Sequence, residues 1–238
     1  MTTNPWDIPP LPKKGDASKS STYEAVGLAL SNWEFFEFDL GLMFITLLRA
    51  DEGVAARRAY GSIVTFRGRL ELIEAAAEAY FLIHRAPRVK ADFRSLMNRA
   101  QKYGARRNEI AHGRVEEFKS DKRSKDGWAL YPSHFSSNKM TLVGTRRRKV
   151  WRHLHTRLAV TQPRYVYTAA EINAFAKHFW DLAQETSKLL FRVGDLWLPP
   201  LARTALKHPE KLSPQQRAEF GRRLLERAPP PRSSRAKN

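Results

Sequence analysis

From Val26 to Leu47 the apolar residues Val26, Leu30, Trp33, Phe36, Leu40, Met43 and Leu47 follow one another in steps of three and four. Only an α-helix turns that spacing into one continuous stripe. A stripe of this length must be covered by other elements, so the spacing predicts a bundle rather than a lone helix. The same steps return in three more segments. One carries Ile63, Phe66, Leu70, Ile73, Ala77 and Tyr80; the next carries Phe93, Met97, Ala100, Gly104, Arg107 and Ala111. The last carries Ile172, Phe175, Phe179, Leu182, Thr186, Leu189 and Val193.

Start and stop signals bound these segments. Ser21 and Glu24 have capping-box spacing, which starts a first helix over about 22–49 before the break at Asp51-Glu52-Gly53. The second helix ends near Ala86-Pro87, and the third starts around Lys90 with Gly113 placed as its C-cap glycine. Thr168, with Glu171 three residues on, caps the fourth, and Pro199-Pro200 closes it. The expected fold is all-α: an antiparallel four-helix bundle over residues 21–197.

Between the third and fourth helices, from about 116 to 167, the helical period stops. Trp128–Tyr131, Met140–Val143 and Tyr165–Tyr167 read as short strands or hairpin arms in a small β-rich insertion. Residues 1–20, with Pro5, Pro9, Pro10 and Pro12, read as a flexible arm. Residues 198–238 read as a basic extension: a short helix from Pro214 to Arg227, capped by Ser213, then a tail too polar to pack.

Charge narrows the partners. Forty-two Lys and Arg against 24 Asp and Glu leave a formal charge of +18, which favours a polyanion, nucleic acid first, with an acidic protein or an anionic membrane surface as the rivals. From Gly127 to Ala170 there is no acidic residue. That span holds Arg146, Arg147, Arg148, Lys149 and Arg152, interleaved with Trp128, Tyr131 and Trp151. Cations for phosphates beside aromatic faces for bases suit a single-stranded nucleic acid; the alternative is a solvated basic loop. His153 and His155 lack any carboxylate there to complete a metal site. Without cysteine, disulfides and thiolate metal sites are excluded. No cofactor loop or metal motif is present. MTTNPWDIPPLPKK has no apolar run of a signal peptide, and no segment suits a membrane span. The expectation is a cytoplasmic protein that needs neither cofactor nor metal and does not bind membranes.

The candidate site is ARRNEIAHGRV, residues 105–115. An Arg followed by His at this spacing arises by chance, and Arg148 with His153 repeats it. Position on a helix separates the two. Asn108 and His112 are i and i+4, about 40° apart, so the amide can bond and orient the imidazole. Arg107 and His112 are about 140° apart on an ideal helix, so they need either a distorted last turn or a second chain. Otherwise both are merely cations suited to the carboxyl end of a helix dipole.

Arg107-Asn108-Glu109-Ile110-Ala111-His112 resembles the signature of the HEPN superfamily, an Arg and then a His with four to six residues between them. Members are helical bundles that usually dimerise, with the motif at the end of the third main helix, lining the dimer cleft. Ser31-Asn32-Trp33-Glu34 is similar to the family's first helix, where a carboxylate supports the site; the resemblance assigns that part to Glu34. Many members are metal-independent endoribonucleases acting as toxins or defence effectors. The resemblance implies catalysis by Arg107, Asn108 and His112, with RNA held by the basic insertion and Arg114. It also implies a homodimer with a composite site and an antitoxin or inhibitor protein. Toxins silenced by AMP transfer carry a Tyr two residues after the His; here that residue is Arg114. Other members bind or scaffold without catalysis.

Overall fold

Ser18, three residues before the expected cap, starts the first helix. Its hydroxyl accepts the Ser21 amide, and α1 runs over Lys19–Leu48. The computed structural model describes residues 4–49, 53–118, 127–132, 140–151, 154–163 and 165–196, with Ser213 and Gln215; for 140–151 and 154–163 it describes the backbone. Five helices carry most of the described residues: α1, α2 (Val54–Ser62), α3 (Phe66–Ile83), α4 (Pro87–Ala111) and α5 (Ala169–Asp195). None is long and apolar enough to cross a membrane.

The second expected helix is two. Ile63 is extended at φ −79°, ψ 112°, and Thr65 caps α3 by accepting the Gly68 amide at 3.1 Å. Three successive β-branched residues, Ile63, Val64 and Thr65, disfavour helix, and a threonine hydroxyl gains more as a cap than inside a turn. The Ile63 carbonyl, left over by the break, accepts Arg69 Nε at 2.9 Å. α4 begins at Pro87 rather than Lys90, because proline suits the first helical position, where its missing N–H costs nothing. Thr168 and Glu171 pair at the start of α5, where the Thr168 amide and hydroxyl both donate to Glu171 Oε2, at 2.7 and 3.0 Å.

Trp33 is the centre of the core. It is fully buried, with Phe36, Phe66 and Phe179 edge-on around it at centroid distances of 5.1, 4.8 and 5.0 Å. Such pairs add roughly 0.5–1.5 kcal/mol each beyond area burial. α1 packs against α2, α3 and α4, and Asn32 Nδ2 reaches across to the Ala176 carbonyl of α5 at 3.0 Å. Arg99 of α4 and Glu185 of α5 form a two-point ion pair.

The insertion contains two antiparallel pairs. β1 (Arg114–Glu117), a strand the sequence did not announce, pairs with β2 (Trp128–Tyr131), and Phe118, Ala129 and Val166 form a small core beside them. β3 (Met140–Trp151) pairs with β4 (Leu154–Pro163). The amino-terminal segment lies against the body. Asp16 exchanges two backbone bonds with Trp128. Its carboxylate accepts the Thr22 hydroxyl at 2.6 Å and the Ala169 amide at the start of α5 at 2.8 Å. Trp6 meets the Tyr103 ring edge-on.

The chain divides into two compact units, Met1–Leu190 and Phe191–Asn238. Of the second, the end of α5 with Leu196, Ser213 and Gln215 are described. The expected helix from Pro214 to Arg227 lies, Gln215 apart, outside the described residues.

Candidate functional site

The last two turns of α4 divide the motif between two environments. Glu109 and Ile110 face inward; Arg107, Asn108 and His112 line an open cleft of about 670 Å³ with Glu34 of α1. The amino end of α3 forms its other wall, bringing Thr65, Arg67 and Arg69 to the same space. Gly104 makes the closeness of α4 possible: a methyl there would stand 2.9 Å from the Phe66 ring.

Arg107 is three-quarters buried. Its Nη1 donates to Asn108 Oδ1 at 3.2 Å, and its Nη2 lies 3.6 Å from Glu34 and 3.8 Å from Glu37. The Nε is buried without an acceptor among the described residues, as are those of Arg99 and Arg106. Beneath it, Glu37 is almost wholly buried, accepting Trp33 Nε1 at 2.6 Å and an Arg69 ion pair. Arg69 in turn lies over the Tyr60 ring at 5.4 Å. Burial raises the Tyr60 phenol well above its ordinary value, with the Glu37 charge pushing the same way.

The expected bond from Asn108 to His112 is absent: the Asn108 oxygen is turned to Arg107. His112 is the helix cap, at φ −107°, ψ 6°. That φ departs by about 40° from the helical value, so the ideal i, i+4 alignment does not hold. The same distortion answers the 140° separation: within one chain both side chains reach one cleft. His112 is exposed, and among the described residues nothing hydrogen-bonds its imidazole. Gly113 is needed, though not for a left-handed cap, since its φ is not positive. A β-carbon there would come within 2.7 Å of Leu130 Cγ.

Glu109 and Arg106, neighbours of the motif residues, serve the scaffold. Glu109 accepts the Tyr165 hydroxyl at 2.8 Å, the Tyr167 hydroxyl and Arg106 Nη1 at 3.0 Å. Arg114, expected to contact RNA, is exposed on β1 and pairs with Glu116 at 2.9 Å. Arg146, Arg147, Arg148, Lys149 and Trp151 all fall on β3, where Arg147 is opposite Arg157 and Lys149 opposite His155. Arg152 and His153 lie outside the described residues.

Glu37, Arg67 and Arg69 escaped the reading of the sequence. One signal was available for Glu37: it stands four residues after Trp33 beside the buried stripe, where an indole N–H needs an acceptor. Among the described residues, no cluster of His, Asp and Glu could hold a metal ion. No family model, curated protein or solved structure matches the chain.

Proposed function

We propose that the chain is a HEPN-like endoribonuclease in which α1, α3, α4 and α5 form the antiparallel four-helix bundle and α2 is an addition. The observation that carries the reading is the meeting of Arg107, Asn108, His112 and Glu34 in one open cleft. The RNA's own 2′-OH attacks the adjacent phosphorus and the bond to the 5′ oxygen breaks, leaving a 2′,3′-cyclic phosphate. One group takes the 2′-OH proton and another protonates the leaving oxygen; the exposed imidazole of His112 suits either task. Arg107 stabilises the charge on the phosphorane. Asn108, bonded to Arg107, fixes the guanidinium rather than the imidazole. One chain brings one histidine to the cleft, so a two-fold dimer would supply the second acid–base group. A toxin or defence role, with an inhibitor protein, is the wider setting of this reading.

The test is RNA cleavage in EDTA by wild type, His112→Ala and Arg107→Ala. The expected result is cyclic phosphate ends, lost in both variants, with RNA affinity unchanged in His112→Ala. Equal cleavage by His112→Ala sinks the proposal. One observation favours a second reading, a binding or scaffolding module of the same fold: Glu34 and Glu37 already lie beside Arg107. Binding with a steep salt dependence and no cleavage is its signature.

A further inference from the structure

The cleft contains a cation that the cleavage chemistry does not use. Glu37 is shared by two guanidiniums: Arg69 Nη1 bonds its Oε2, and Arg107 Nη2 lies 3.8 Å from its Oε1. Glu34, 3.6 Å from Arg107 Nη2, balances the second cation, so what Arg69 offers a ligand is fixed N–H donors rather than excess charge. Arg69 is pinned by Nε on the Ile63 carbonyl at 2.9 Å, by Glu37, and by the Tyr60 ring beneath it. A guanidinium has five N–H donors, and these bonds use two. The side chain keeps 26% exposure and lines the cleft. Arg67, two residues earlier and well exposed, lines it too; its Nε pairs with Glu71 at 2.8 Å, leaving the two terminal nitrogens of the guanidinium as donors. A cation held this firmly loses little entropy on binding.

We propose that Arg69, with Arg67, forms a second phosphate subsite, taking the phosphate next to the one at Arg107 and His112, so that the cleft binds two consecutive phosphates of a single strand. The proposal rests on the RNA reading of the cleft. Glu37 is then a positioning residue, fixing the two guanidiniums relative to each other. The cleft, about 670 Å³, is within the range of sites that enclose a whole small ligand.

The test uses an oligonucleotide with one ribonucleotide among 2′-O-methyl residues, so that only one link can be cleaved. A neutral methylphosphonate at a flanking link should lower kcat/KM about tenfold in wild type. In Arg67→Gln or Arg69→Gln the penalty should shrink below about twofold, because the partner is already gone. Arg67 is exposed, so its variant keeps the test alive should Arg69→Gln misfold. A fully 2′-O-methylated strand, which cannot be cleaved, gives a readout free of catalysis. Each variant should reduce the slope of log affinity against log salt by about 0.7. Absent cleavage in wild type with that slope change present overturns the ribonuclease reading and keeps the subsite. An equal methylphosphonate penalty in wild type and Arg67→Gln, or an unchanged salt slope in both variants, overturns the subsite.

Discussion

An alanine scan of the motif would make Glu109 look catalytic, and the structure predicts that it is not. Glu109 is 7% exposed and its ion-pair partner Arg106 11% exposed. Glu109→Ala removes the acceptor of two buried phenols and the counter-charge of a buried arginine. Breaking a buried ion pair by deleting one member costs about 3–5 kcal/mol. Each buried hydroxyl without a partner adds roughly 1–3 kcal/mol, less where the two can turn to one another. The terms overlap, so about 4 kcal/mol is the working expectation, a large part of the roughly 5–15 kcal/mol that holds a domain folded. Urea unfolding followed by helical circular dichroism measures it directly, with an unchanged m-value marking a pure stability effect. A double-mutant cycle identifies the cause. Tyr167→Phe should cost about 1.5–3 kcal/mol in wild type, as expected for a bond to a charged group, and under about 1 kcal/mol in the Glu109→Ala background. A Glu109→Ala variant within about 1 kcal/mol of wild type, with cleavage abolished, would refute this reasoning and put Glu109 in the chemistry.

Alkaline pH should weaken the same region. Burial raises the phenols of Tyr165 and Tyr167, with Glu109 adding to both, and burial pushes Tyr103 up to about 12. An unfolded tyrosine ionises near ~10, so the folded chain holds more protons above that pH. This contribution to stability is complete below about pH 10 and is lost as pH rises through the folded values. Melting temperatures from pH 8 to 11 test it: Tyr167→Phe should flatten the fall, and an unchanged slope would count against it. Gly113→Ala should destabilise by about 1–3 kcal/mol through overlap with Leu130 and the Glu109 carbonyl, read as a lowered urea midpoint; a neutral effect would mean that β2 and the helix end both give way. Asp16→Ala frees the Thr22 hydroxyl and the first amide of α5. It should cost about 1–2 kcal/mol, with partial recovery in Asp16→Asn; a calorimetric melting temperature equal to wild type would show that the amino-terminal segment does not hold α5.

The helices were legible because burial and period are the same fact. Every stripe residue from Ile172 to Leu189 is buried, and a sequence reports that without knowing what covers it. The break at 63–65 was hidden for a related reason. Ile63 and Phe66 are three apart, so the stripe continues in register across a gap that only the capping hydroxyl of Thr65 and a β-branched run betray. Polar pairings were the hard part. Ideal helix geometry pairs Asn108 with His112, yet the pairing depends on the backbone of a single cap residue, and no residue pattern states its φ. Gly113 shows the complementary error. A glycine after the last turn reads as a left-handed cap, but the constraint comes from the Glu109 carbonyl and from Leu130, seventeen positions away on β2.

What this does to the motif is specific. On a straight helix, 140° would have kept Arg107 and His112 apart and left a second chain as the simplest remedy. A cleft at a helix end is approached from beyond the last turn, where a long arginine and a cap residue can both reach it. The shared space therefore does not by itself call for a dimer. A dimer gains its force from the chemistry: cleavage needs one group to accept a proton and another to deliver one, and each chain brings a single histidine to the cleft. Titrating His112→Ala protein into a fixed amount of wild type, at saturating RNA, separates the two cases. If the site is composite and needs both imidazoles, mixed dimers are inactive and cleavage falls well below that of the wild type alone. If each chain works alone, the added variant leaves cleavage by the wild type unchanged.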